Sequence, residues 1–78
     1  MKQIVFDRHA KRRMKERGVT EEEAEFALEH PDAVEPSMKG RLNSYKFVNG
    51  RYLRITWKEQ ADSRLVITAT IRKKPFKE

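Results

Sequence analysis

Tyr45-Lys46-Phe47-Val48-Asn49-Gly50-Arg51-Tyr52-Leu53-Arg54-Ile55-Thr56-Trp57 is the stretch whose reading decides the fold. β-Branched and aromatic residues run up to an Asn-Gly pair and away from it again, which is the strongest short-range signal for a tight β-hairpin. Beyond the pair, Leu53, Ile55 and Trp57 alternate with Arg54 and Thr56, the pattern of a half-buried strand. Leu65, Ile67, Ala69 and Ile71 repeat the alternation further on. Three strands are therefore predicted, over about residues 42–47, 51–58 and 64–72, as a three-stranded antiparallel meander.

The hairpin admits two registers. A two-residue turn on Asn49-Gly50 pairs Phe47 with Tyr52 and sends Phe47 and Tyr45 to the side opposite Leu53. A three-residue loop over Val48-Asn49-Gly50, with Gly50 at a bulge, pairs Phe47 with Arg51 and places both aromatics with Leu53 and Ile55. A one-residue slip exchanges every side chain between faces, and the bulged turn is expected because it buries the aromatics. The open face would then carry Ser44, Lys46, Tyr52, Arg54, Thr56, Lys58, Thr68, Thr70 and Arg72.

Upstream, Gln3-Ile4-Val5-Phe6 suits a short strand. Asp7 reads as the N-cap of a helix over Arg8–Arg17, with Gly18 as its left-handed stop. Ala10 and Met14 are its narrow apolar stripe. Thr20-x-x-Glu23 is a capping box for a second helix, Val19 and Ala24 fit a hydrophobic staple, and Pro31 ends that helix. Phe26 points away from Ala24, Ala27 and Leu28, toward Phe76, a partner or solvent. Residues 31–41 read as an ordered connection, and residues 73–78 as a loose basic tail. The prediction is one α+β domain over residues 1–78, in the order β-α-α-β-β-β.

Charge is segregated along the chain. Residues 20–35 hold seven acids and no Lys or Arg, whereas the remainder holds eighteen bases against five acids. The net charge of +6 thus understates how basic most of the molecule is, and such a surface favours an anionic partner. With no cysteine and only His9 and His30, a disulfide framework and a dedicated metal site are both excluded from expectation, and no cofactor is implied. No apolar run approaches the ~20 residues of a membrane span, and no signal-peptide pattern opens the chain, so the cytoplasm is the expected compartment.

No phosphate-binding glycine loop, nucleophile elbow or paired-histidine metalloprotease signature is present. Histidine, arginine, lysine and tyrosine nevertheless suffice to cleave RNA without metal. A base takes the 2′-hydroxyl proton, an acid protonates the leaving oxygen, and cations meet the added charge. His9 and Arg13 stand one helical turn apart, either as a proton-transfer group beside a phosphate clamp or as packing and ion-pairing residues. Arg17 lies nearer the apolar stripe and suits a structural role, as do Gly18, Pro31 and Gly50. His30 suits a helix end. On the sheet, Lys46, Tyr52, Arg54 and Arg72 could stack a base and hold phosphates, or be ordinary solvated positions. Lys39-Gly40-Arg41 is a basic turn usable for phosphate.

The string FDRHAKRRMKERGVTEEEAEFALEHP (residues 6–31), followed by Gly40-Arg41, RYLRITW and RLVITATIRK, resembles the DUF4258 domain family. The shared features fall on His9-Ala10, Arg17-Gly18-Val19, Pro31 and Thr68, and cover nearly the whole chain. The resemblance implies a relation to RelE-like toxins and the barnase–EndoU–colicin group of metal-independent ribonucleases. A toxin-like endoribonuclease with RNA as substrate and an antitoxin protein as partner is then the expected function, the alternative being a non-catalytic nucleic-acid-binding or protein-interaction module. His9, Arg13, Arg17 and Arg41 match family positions, and His9, Arg13 and Arg41 become the catalytic candidates. Last strands of such proteins often read Thr-x-Tyr, whereas here Ala69 and Thr70 follow Thr68.

Overall fold

The computed structural model describes residues 3–73. The chain runs β1 (Gln3–Phe6), α1 (Arg8–Arg17), α2 (Glu21–Glu29), β2 (Ala33–Pro36), a single 3-10 turn (Met38–Gly40), β3 (Arg41–Val48), β4 (Arg51–Glu59) and β5 (Ser63–Arg72). The α+β class and the expected elements are present, and β3, β4 and β5 form the expected antiparallel meander, but it is the centre of a five-stranded sheet in the order β1-β5-β4-β3-β2. β1 joins the last strand in parallel, pairing Val5 with Leu65 and Phe6 with Val66. Among the described residues no helix is long and apolar enough to cross a membrane. The expected Phe26–Phe76 contact and residues 74–78 of the expected basic tail lie outside the described residues.

The segment expected to be a connection contains β2. It pairs antiparallel with β3, Val34 opposite Ser44 and Glu35 opposite Asn43. Asp32 starts this pairing by donating its N–H to the Tyr45 carbonyl at 2.8 Å, and Ser37 closes the far end by donating to the Arg41 carbonyl at 2.8 Å. Pro36 is tolerated because this is the outer strand, where a missing N–H faces no ladder partner.

The first hairpin takes the other register. Phe47 pairs with Tyr52 and Val48 with Arg51 across a two-residue turn. Asn49 (φ 51°) and Gly50 (φ 80°) are both left-handed, as a type I′ turn demands. That turn matches the natural twist of the strands; its cost falls on Phe47, which is half-exposed, because Tyr45 stays buried on the new face beneath Arg72. Tyr45 and Phe47 therefore share a face with Tyr52 and Arg54, while Ser44 and Lys46 lie on the opposite face. Ser44 is fully buried, and its hydroxyl accepts the Trp57 indole N–H at 2.8 Å.

A second correction concerns β5. Thr56 pairs with Thr68 but Trp57 pairs with Val66, leaving Ile67 as the extra residue of a bulge. The bulge shifts the alternation, so Val66, not Leu65 or Ile67, enters the core beside Ala69. The core is Ala10 and Met14 of α1, Val19 of the interhelical turn, Ala24, Ala27 and Leu28 of α2, Leu53, Ile55 and Trp57 of β4, and Val66 and Ala69 of β5. All of it lies between the helices and one face of the sheet. α1 packs on β5, and α2 on β3 and β4. Among the described residues no helix lies over the other face of the sheet.

Glu23 ties the layers together. The expected capping box forms, with Thr20 and Glu23 each accepting the other's backbone N–H. The same carboxylate accepts from Asn49 at 2.6 Å and from Arg51 at 3.1 Å, so the hairpin turn is fastened to the start of α2. Arg51 also donates to the carbonyls of Arg17 and Gly18, at 3.1 and 3.0 Å. Gly18, left-handed at φ 68°, lets the chain turn there.

Candidate nucleic-acid interface

Pairing fixes what shares the open face. Reading across from β2 through β3 and β4 to β5, one row is Glu35, Asn43, Thr56 and Thr68. The next is Ala33, Tyr45, Arg54 and Thr70, and the third is Phe47, Tyr52 and Arg72. Arg41 and Lys58 pair at the opposite end of the same face. Three aromatic rings and two arginines thus occupy two adjacent rows.

These groups contact one another. The Phe47 and Tyr52 ring centroids are 4.8 Å apart at 54°. Arg72 lies over the Tyr45 ring at 5.4 Å. The Tyr45 hydroxyl donates to Glu35 at 2.7 Å, and the Thr56 hydroxyl donates to Asn43 at 2.7 Å. Burial, reinforced by the hydrogen bond to Glu35, pushes the Tyr45 phenol above its ordinary value and keeps it protonated. The Arg54 Nε–H is buried with no hydrogen-bond partner among the described residues. A buried, unpaired donor on a cation carries a desolvation cost.

At the end of the face is a cavity of about 140 Å³ lined by Asp32, Tyr45, Lys46, Phe47, Tyr52, Leu53 and Arg72. Asp32 forms its rim: one carboxylate oxygen accepts the Phe47 N–H at 3.1 Å, the other the Lys46 ammonium at 3.0 Å. Those two bonds, the backbone one foremost, hold the Asp32 carboxyl below its ordinary range.

The helical candidates lie elsewhere. Arg13 donates to His9 Nε2 at 3.4 Å and bonds Glu16 at 3.2 Å. His9 also completes the Asp7 cap through its own N–H, at 2.6 Å. Both side chains belong to α1, on the layer opposite Tyr52 and Arg54, so the sheet separates them from the open face. Arg41 does not join His9; it lies on the open face with Lys58. Lys46, expected on that face, projects from the other one and reaches Asp32 around the outer edge of β3, its ammonium 5.2 Å from the Phe26 ring. Phe26, half-exposed, also meets His30, with centroids 5.3 Å apart.

Arg17 donates to the Ala69 carbonyl at 2.6 Å. β1 leaves β5 after Val66, and Arg17 satisfies the sheet edge beyond it. Tyr45, Phe47, Glu35 and Asp32 were missed as site residues. The first two follow from the Asn-Gly turn rule applied strictly, whereas nothing local in Asp32 or Glu35 marked them.

No curated protein and no solved structure matches the chain. Residues 6–71, from the end of β1 to near the end of β5, match the family model described as a domain of unknown function, DUF4258. The matched span takes in both helices and the three long strands, and the chain belongs to the DUF4258 family.

Proposed function

We propose that this chain is a toxin-like, RNA-contacting domain that works through the open face of its sheet. One observation carries the reading: Tyr45, Phe47 and Tyr52 share two adjacent rows with Arg54 and Arg72 on a face that no helix of the described residues covers. The Phe47 and Tyr52 rings offer stacking to unpaired bases, the buried Tyr45 ring supports Arg72 from beneath, and the guanidinium groups offer planar forks to phosphate. Arg41 and Lys58 extend the positive track along the strands. The basic balance outside residues 20–35 supplies long-range attraction to a polyanion. A toxin-like role also implies an antitoxin protein as partner.

A second reading, metal-independent cleavage, is favoured by the Glu35–Tyr45 hydrogen bond beside Arg54. Glu35 is exposed and oriented by the phenol, so it can take the proton of a ribose 2′-hydroxyl. The freed oxygen attacks the adjacent phosphorus, Arg54 meets the charge that builds there, and the P–O5′ bond breaks. The 5′-oxygen takes a proton from water, leaving a 2′,3′-cyclic phosphate and a 5′-hydroxyl. His9 and Arg13 lie on the other layer and have no part in this scheme.

Binding is tested by fluorescence anisotropy of a labelled single-stranded RNA across a salt series. Arg54→Ala and Arg72→Ala should each weaken binding and flatten the log–log salt slope by ~0.7, the value for one phosphate on a single strand. Unchanged affinity in both variants, with folding intact, would dismiss the open face. Cleavage is tested by incubating RNA with the protein in EDTA: cyclic-phosphate ends that persist in Glu35→Gln would exclude Glu35 as the base.

A further inference from the structure

The cavity at the end of the open face has a chemistry more specific than a general stacking surface. Its walls include Tyr45, Phe47 and Tyr52, and its rim holds a carboxylate and an ammonium side by side, Asp32 and Lys46, 3.0 Å apart. Neither rim group is saturated by its partner. Each carboxylate oxygen has two lone pairs, one of which meets Phe47 N–H or Lys46, and the ammonium has three N–H donors. The pocket therefore offers an aromatic-lined hollow of about 140 Å³ with a donor and an ionised acceptor adjacent among its lining groups.

We propose that this pocket is a nucleobase subsite and that its ligand is guanine in single-stranded RNA. The proposal rests on the RNA-contacting reading above and adds base selectivity to it. The Watson–Crick edge of guanine presents an acceptor, O6, followed by two adjacent donors, N1–H and N2–H. Lys46 matches the first and Asp32 the other two. Uracil sets a single donor between two acceptors, so one carbonyl would face the carboxylate. Cytosine and adenine each bring one exocyclic donor followed by an unprotonated ring nitrogen, and repulsion from the carboxylate disfavours that nitrogen. Phe47 is half-exposed and stands against Tyr52, so its ring is available as the stacking platform.

The test uses five labelled pentaribonucleotides, UUGUU, UUIUU, UUAUU, UUCUU and UUUUU, titrated with the full chain at one fixed salt concentration. UUGUU should bind about tenfold tighter than the A, C and U oligomers, as a well-formed paired contact to a base edge confers. Inosine, which lacks the N2 amino group, should fall between. Asp32→Asn should bring all five within about twofold of one another, and Phe47→Ala should weaken them all by about tenfold through lost stacking. Five equal affinities in the unaltered protein would overturn the guanine subsite while leaving RNA contact standing. Failure of every oligomer and of long single-stranded RNA to bind would overturn the underlying reading, and the subsite with it. The unaltered chain alone separates these results, so the comparison does not depend on the variants folding.

Discussion

Replacing Glu23 with alanine should be the most damaging single change to a charged residue in this domain. Glu23 is 8% exposed, yet its two oxygens serve three donors: the Thr20 N–H at 2.9 Å, the Asn49 amide at 2.6 Å and Arg51 at 3.1 Å. Breaking a fully buried pair costs ~3–5 kcal/mol. Here the Arg51 side chain keeps 30% exposure and water can rehydrate part of it, which lowers the figure. A hydrogen bond to a charged group contributes ~1.5–3 kcal/mol and a helix cap about 1 kcal/mol, and the terms overlap because one carboxylate makes them all. The expected loss is about 2–3 kcal/mol, most of the ~3–5 kcal/mol that a core of this size supplies. Urea unfolding followed by Trp57 fluorescence should show a midpoint far below that of the unaltered protein, with an unchanged slope. Thr20→Ala, which removes one half of the box, should cost only about 1 kcal/mol. A loss below about 1 kcal/mol for Glu23→Ala would refute the idea that this network fastens the hairpin to α2. The pH dependence gives an independent check. Hydrogen bonds from Thr20 first, then Asn49 and Arg51, lower the folded-state pKa of Glu23. Its stabilisation is therefore complete above the ordinary carboxyl value of 4.5 and is lost as pH falls through the lower folded value, so the gap between protein and variant should close in acid.

Other parts of the fold give further expected outcomes. Ser44→Ala strands the buried Trp57 indole N–H, and thermal unfolding should report a loss of about 1–3 kcal/mol despite the small change in volume. Gly50→Val places a β-branched residue at φ 80° and should destabilise the hairpin by more than ~1 kcal/mol, whereas Lys39, already left-handed at φ 58°, should accept glycine without loss. Ultraviolet titration should find one tyrosine, absent in Tyr45→Phe, ionising above the ordinary value of 10, because burial and Glu35 both oppose the phenolate.

What was legible in the chain was local, and what was hidden was long-range. The capping box at Thr20 and Glu23, the stop at Gly18 and the break before Pro31 are each settled within a few residues, and the structure contains them all. β2 escaped notice because Ala33-Val34-Glu35-Pro36 has one β-branched residue and a proline; it is a strand only because β3 offers it a ladder. The parallel placement of β1 beside β5 joins the two ends of the chain, and no local pattern encodes it. The hairpin register turned on weighing two aromatics against one turn, and the turn prevailed. That choice moved Tyr45 and Phe47 onto the open face and Lys46 off it, so the candidate interface changed with a single residue of slip. The bulge at Ile67 had the same effect on a smaller scale. His9 and Arg13 were correctly expected as neighbours on one helix, but their separation from Tyr52 and Arg54 depends on which face α1 covers.

The most direct test of the account is a backbone-amide NMR titration of the isotope-labelled chain with single-stranded RNA. Shifts concentrated on β3, β4 and β5 at Tyr45, Phe47, Tyr52, Arg54, Thr70 and Arg72, with α1 from His9 to Arg17 undisturbed, are the result expected. Shifts centred on His9 and Arg13 with the sheet unmoved, or no shifts at saturating RNA, would contradict it.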